Sequence, residues 1–190
     1  EIKEISPGGI IFSGGPNSVR EENSPKVDPE IYDLGIPILG ICYGMQLMTS
    51  QLPGGKVKEA VQGEYGKAKL EILKAEGILN DIDNNTQVLM SHWDRVEKQP
   101  EGFEITAKTE ITPAAAIQNK EKDFYGVQFH PEVVHTIEGK NIIHNFLFKI
   151  SNLKADWNMA DYINKEVNEI KEEVKDSKVI CGLSGGVDSA

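Results

Sequence analysis

Two rhythms of apolar and polar positions divide the chain. Near its start, Ile10-Ile11-Phe12 and the run from Ile36 to Ile41 are short and continuously apolar, the pattern of strands buried on both faces. The first opens into Ser13-Gly14-Gly15-Pro16-Asn17-Ser18. The second leads into Met45-Gln46-Leu47-Met48, the start of a helix that Pro53-Gly54-Gly55 stops. Residues 17–35 between them are polar and proline-punctuated, predicting a loop with a short helix near Glu30 to Leu34. From Lys56 to about Thr112 the rhythm changes to short strands at Val57–Val61, Ala68–Ile72, Thr86–Met90 and Phe103–Ala107, set apart by Gly, Asn and Asp turns. Ala114–Ile117 and Phe124–Phe129 follow as a hairpin returning to the sheet. After Gly139, residues Ile142, Ile143, Phe146, Leu147 and Ile150 share one helical face.

Ser151 to Asp156 reads as a linker. Asn158 then caps a second helix, in which Met159, Ile163, Val167, Ile170 and Val174 form an apolar stripe against Glu, Lys and Asn. That helix is expected to be an exposed connector with no chemistry of its own. Lys178 to Leu183 predicts one more strand, and the chain closes on Ser184-Gly185-Gly186-Val187-Asp188-Ser189.

Three stretches carry candidate chemistry. In Gly40-Ile41-Cys42-Tyr43-Gly44 a cysteine stands between a strand and a helix, with glycines two before and two after. The glycines permit a sharp turn and close approach of strand to helix. The helix N-terminus supplies a positive field that favours a thiolate. A buried structural cysteine in such a turn is the plainer reading, and the paired glycines favour the nucleophile. In Phe129-His130-Pro131-Glu132, His130 and Glu132 are two apart, so in extended chain they address one side; a carboxylate on one imidazole nitrogen leaves the other for a nucleophile. Alone, such a pair is commonly surface decoration. The Ser184–Ser189 loop lacks the spacing and lysine of a Walker A loop, but it offers N–H and O–H donors to phosphates, with Asp188 suited to an accompanying magnesium ion.

Composition narrows the class. The 190 residues suffice for one α/β domain and little more. A net charge of −10 disfavours partnership with nucleic acid or an anionic membrane surface. Cys42 and Cys181, far apart, make no disulfide framework, so a reducing cytoplasm is the expected compartment. No apolar run reaches the length of a membrane span, and no signal peptide is visible. The chain starts at Glu1 and stops at Ala190 within a motif, and both ends read as cut.

Gly40 to Gln46, Ser13 to Pro16 and Gln128-Phe129-His130-Pro131-Glu132 together resemble the class I (triad-type) glutamine amidotransferases. Gly63-Glu64-Tyr65-Gly66, the Ser91-His92 pair and His130 through Thr136 narrow the resemblance to the GMP synthase branch. The Ser184–Ser189 loop is similar to the pyrophosphate loop that opens the ATP pyrophosphatase domain of that branch. The resemblance implies an open, mostly parallel, flavodoxin-like α/β sheet flanked by helices, with an added small antiparallel sheet and the N-terminal strand missing. It implies an N-terminally truncated glutaminase domain over 1–152, a linker and connecting helix over 153–176, and the truncated start of the pyrophosphatase domain over 177–190.

The resemblance also implies roles. Cys42 is the nucleophile, His130 the proton carrier and Glu132 its orienter. The backbone N–H groups of Gly15 and Tyr43 form the oxyanion hole, and Gln46, Ser91, Trp93 and Asp94 hold glutamine. Ser184, Gly185, Gly186, Val187, Asp188 and Ser189 bind ATP. The glutaminase is expected to need no cofactor, and no complete metal site is expected. The full synthetase would use ATP, Mg and XMP, with the synthetase domain supplied in cis or in trans. Trp93 stands where the family has glycine, and an indole there is expected to block or reshape the glutamine pocket. Two other readings compete: a folded but silent module awaiting a synthetase partner, and a cysteine peptidase or γ-glutamyl hydrolase on the same scaffold.

Overall fold

The structure, a computed structural model, describes residues 2–156 and 158–180. They fall into two compact units, Glu1–Leu153 and Lys154–Ala190. After a short helix α1 (Ile2–Ile5), the first unit is built on strands β1 (Ile10–Phe12), β2 (Ile38–Ile41), β3 (Lys56–Ile72), β4 (Thr86–Lys98), β5 (Glu104–Lys108), β6 (Ala116–Asn119) and β7 (Phe124–Val127). Their order across the sheet is β1-β2-β7-β6-β5-β3-β4. Parallel pairing is confined to β1, β2 and β7. The remaining neighbours pair antiparallel, so the α/β fold is present with a mixed sheet. β1 is the outer edge, and Ile11 at its middle is exposed.

Every residue of β2 is buried, as its unbroken apolar run requires. Alternate side chains serve opposite faces. Leu39 packs with Val127, Phe129, Ile142 and Phe146, whereas Ile38 packs with Met45, Met48, Ile117 and Phe124. Each such side chain contributes about 1.5–3 kcal/mol on burial. The helix α2 (Tyr43–Gln51) follows β2 directly. The carboxyl ends of β1, β2 and β7 therefore open together, the usual place for a ligand in a parallel sheet.

Several elements differ from the sequence expectation. Val57–Val61 and Ala68–Ile72 belong to one strand, β3, and Thr86–Met90 runs on to Lys98 as β4. Gly63 and Gly66 do not turn the chain. The β3–β4 register shifts between Glu59 and Glu64, and Gly66 takes φ +95° inside the strand. Glycine here marks a bulge that bends a continuous strand. The short helix is a 3₁₀ turn, Pro29–Asp33, whose Glu30 N–H donates to the Asp28 carboxylate at 3.0 Å. The helix after Gly139 is α3 (Gly139–His144) and then widens into a π-helix over Asn145–Ile150, which turns both Asn145 and Phe146 inward. Asn145 Nδ2 there donates to the Ile78 and Asn80 carbonyls at 3.0 and 2.8 Å.

The strand expected to reach Phe129 ends at Val127, so His130 lies beyond it and Glu132 in the turn that follows, not in one extended strand. In the second unit, α4 (Met159–Val174) is capped by Asn158, whose Oδ1 accepts from Asp161 N at 2.9 Å, and none of its residues is buried. Lys178 to Ile180 are irregular. Cys181 and the Ser184–Ser189 loop lie outside the described residues. Among the described residues no helix is long and apolar enough to cross a membrane.

Candidate active site

The turn between β2 and α2 puts Cys42 at φ +50°, ψ −105°, a conformation an L-residue adopts only at a cost of about 1–3 kcal/mol. Its backbone is held from both sides. Cys42 N–H donates to the Val127 carbonyl at 2.7 Å, and its own carbonyl accepts from Gln46 N–H at 3.1 Å. Gly44 is required by close approach, since a Cβ there would lie 2.1 Å from the Phe12 carbonyl oxygen. At Gly40 a Cβ would come within 2.6 Å of Met45 N. Cys42 Sγ donates to the Ser91 carbonyl at 3.7 Å and accepts from Gln128 Nε2 at 3.6 Å.

His130 arrives from the end of β7. Its N–H donates to the Leu89 carbonyl on β4 at 3.0 Å, and Thr136 Oγ1 ties the two together by donating to the His130 carbonyl and accepting from Leu89 N–H at 3.0 Å. The imidazole Nδ1 is 2.7 Å from Glu132 Oε1. That contact makes Nδ1 the donor and leaves Nε2 for other chemistry. The imidazole is pushed up to about 9. Hydrogen bonding to Cys42 is the largest cause; burial opposes it and Glu132 reinforces it. Near neutrality His130 therefore carries a proton beside the sulfur.

Cys42 and His130 open into a cleft of about 460 Å³, which Gly15, Tyr43, Gln46, Ser91, Trp93 and Asp94 also line. Gln46 is buried, its Nε2 donating to the Asp94 carbonyl at 2.7 Å and to Gln128 Oε1 at 3.2 Å. Ser91 presents its carbonyl to the sulfur. Trp93 is half-exposed and rests over Gly63, where a Cβ would come within 2.6 Å of the indole Cε3; its Nε1 donates to Glu59 at 3.0 Å. The indole thus forms a wall, and the cleft stays open beside it. Glu132 stands behind His130 and outside the lining.

The Asp94 carboxylate accepts from Ser18 Oγ and from Arg20, whose Nη2 is 2.9 Å from Oδ1. Burial would raise its pKa, but the hydrogen bonds from Arg20 and Ser18 outweigh burial and hold it below the usual carboxylate range. Under this wall Glu64 is buried, accepting from Thr109 at 2.8 Å and from Thr112 at 2.5 Å, with His92 Nε2 3.8 Å away. Among the described residues no group of three or more His, Cys, Asp or Glu side chains is arranged to hold a metal ion.

Sequence reading gave Gln128, Arg20 and Glu64 no role. Gln128 was signalled by its place two residues before His130, and Arg20 by being the lone base between Phe12 and Lys26. The tie between Glu64 and residues 109–112 joins segments distant in sequence and has no local signal.

Residues 1–150 match the family model described as glutamine amidotransferase class-I. Over all 190 residues the chain is 63% identical to a protein of Halothermothrix orenii named GMP synthase [glutamine-hydrolyzing], and 52% identical to the one of that name in Clostridium kluyveri. It spans 37% of the length of each. Among solved structures, a protein of Thermoplasma acidophilum, assigned as one of the subunits of a GMP synthase, aligns at TM-score 0.65 and 29% identity, over 85% of this chain and 76% of that one. A glutamine amidotransferase of Thermotoga maritima aligns at TM-score 0.57 and 21% identity, over 87% and 71%, a likeness of fold. A cysteine forced into a strained turn beside a carboxylate-backed histidine is thus found in a chain that belongs to the class I glutamine amidotransferase family.

Proposed function

We propose that residues 1–152 hydrolyse glutamine through a cysteine thioester, as the glutaminase part of a GMP synthase. The observation that carries this reading is the run from sulfur to imidazole to carboxylate, with His130 Nδ1 2.7 Å from Glu132 and the His130 pKa raised chiefly by Cys42. With its proton held on His130, Cys42 Sγ attacks the side-chain amide carbon as the thiolate, and the carbonyl electrons move to oxygen. The N–H groups of Gly15 and Tyr43 stabilise that oxyanion. His130 gives its proton to the amide nitrogen, the C–N bond breaks, and ammonia leaves a γ-glutamyl thioester. Water then gives a proton to His130 and attacks the carbonyl, expelling the sulfur and releasing glutamate. Gln46, Ser91, Trp93 and Asp94 hold the substrate.

The ammonia passes to a synthetase domain that aminates XMP to GMP with ATP and Mg. The segment 153–176 connects to that domain, and 177–190 begins it, Ser184 to Ser189 cradling the pyrophosphate. A reducing cytoplasm suits a site built on a free thiol. The test is glutamate release from glutamine: Cys42→Ala abolishes it, and hydrolysis at the parent rate would overturn the assignment. A glutamine-derived electrophile should add one mass at Cys42 and leave Cys181 unlabelled.

A further inference from the structure

We infer that Gln128 is a further catalytic residue, whose side-chain N–H holds the Cys42 sulfur as a thiolate from inside the protein. This rests on the glutaminase reading above and adds a donor to the sulfur beside His130. Gln128 Nε2 donates to Cys42 Sγ at 3.6 Å. Gln128 is fully buried and lies outside the cleft lining, so water does not compete for the amide. The surrounding network fixes which end of that amide meets the sulfur. The Asp94 carbonyl can only accept, so the Gln46 atom 2.7 Å from it is Nε2. The other hydrogen of that nitrogen goes to Gln128 at 3.2 Å, which makes the Gln128 atom there Oε1. Its Nε2 is left to face Cys42. The Asp94 carbonyl is itself held, accepting from His92 Nδ1 at 3.0 Å, and the Gln128 backbone N–H is pinned to the Ala115 carbonyl at 2.9 Å.

A thiol is a weak acceptor and a thiolate a strong one, so a donor aimed at the sulfur favours the charged form. The Ser91 carbonyl, 3.7 Å from the same atom, works the other way, because only S–H can donate to it. His130 gives up its proton during the reaction, whereas the amide of Gln128 keeps its own. It therefore serves both stages in which the sulfur is charged, before attack and as the thioester breaks. In the thioester the sulfur is neutral and the contact weakens, so the amide assists expulsion as well as ionisation. A tenfold gain in thiolate fraction costs only about threefold in intrinsic nucleophilicity, and the net effect is faster attack at any pH where the thiol still competes.

The experiment follows alkylation of Cys42 by iodoacetamide against pH in the parent, Gln128→Met and Gln46→Met, with mass spectrometry reporting the labelled site. The sulfur displaces iodide from the methylene carbon, and the thiolate is the form that does so. Loss of one hydrogen bond to a charged group predicts that the acid limb of the rate profile moves up by about one pH unit in Gln128→Met. Above that limb, rates equal the parent's or rise by up to about threefold, because a thiolate held less tightly is the better nucleophile. Gln46→Met, which frees the Gln128 amide to flip, should move the limb the same way by less. A limb that stays put in Gln128→Met, or a fall of equal size at every pH, would make Gln128 a packing residue and overturn the proposal. Should Gln128→Met not fold, Gln46→Met decides alone, and an unmoved limb there overturns it. Iodoacetamide carries no amino-acid head, so these outcomes do not depend on glutamine hydrolysis, which glutamate release by the parent decides separately.

Discussion

Replacing Cys42 by alanine and, separately, by glycine removes the sulfur both times, so activity is lost in both and stability alone is compared. At an ordinary buried position glycine is the worse choice. It gives up about 0.8 kcal/mol of methyl burial and about 0.5–1 kcal/mol of backbone entropy, together about 1.5 kcal/mol. At φ +50°, ψ −105° alanine retains the strain that glycine releases, about 1–3 kcal/mol. The balance ranges from about 0.5 kcal/mol against glycine to about 1.5 kcal/mol in its favour. The expected result is Cys42→Gly at least as stable as Cys42→Ala within that margin, read by urea unfolding. At about 2–4 °C per kcal/mol the same difference moves Tm by a few degrees at most. If alanine proved more stable by the full ordinary penalty of about 1.5 kcal/mol, the turn would hold no strain, and the account of how Cys42 is forced out of the sheet would fail.

Gly44→Ala should destabilise by about 3 kcal/mol or more, because its Cβ would meet a backbone oxygen, Phe12 O, at 2.1 Å and no side chain can yield; chemical denaturation reads it, and a loss under about 1 kcal/mol would contradict the packing. An NMR titration of His130 should show a midpoint near 9 that falls in Cys42→Ala, since Cys42 is the largest cause of the shift. Because the folded value lies above the unfolded value of about 6.5, this group's stabilisation is full below about pH 6.5 and is lost as pH rises through about 9. Thr136→Val removes the hydroxyl that joins the His130 carbonyl to Leu89 N–H, and should cost about 1–3 kcal/mol of stability and lower kcat more than it raises KM; a pure KM effect would argue against a role in seating the imidazole.

The parallel part of the fold was legible because its signals are local. The unbroken apolar run of β2, the Gly-Cys-Gly turn and the helix stop at Pro53 each follow from neighbouring residues, and the structure has them there. The antiparallel arm was read as fragments, since Gly63 and Gly66 have the look of turns, and only pairing with β4 tells a bulge from a reversal. His130 and Glu132 do meet, though through a turn: the spacing was informative and the extended geometry was not. Arg20 and Asp94 are 74 residues apart, and no periodicity links them. Trp93 does line the cleft, where Gly63 beneath it and Glu59 beside it give the ring a seat on β3.

Strand β4 also touches both reactive groups. It hands Leu89's carbonyl to His130 and Ser91's to Cys42, two residues apart and about 7 Å along one ribbon. Residues 89–91 thus touch both reactive groups, as the Cys42–Val127 contact does from the other side, so a one-residue insertion between 89 and 91 would put the two out of step even with every reactive side chain intact.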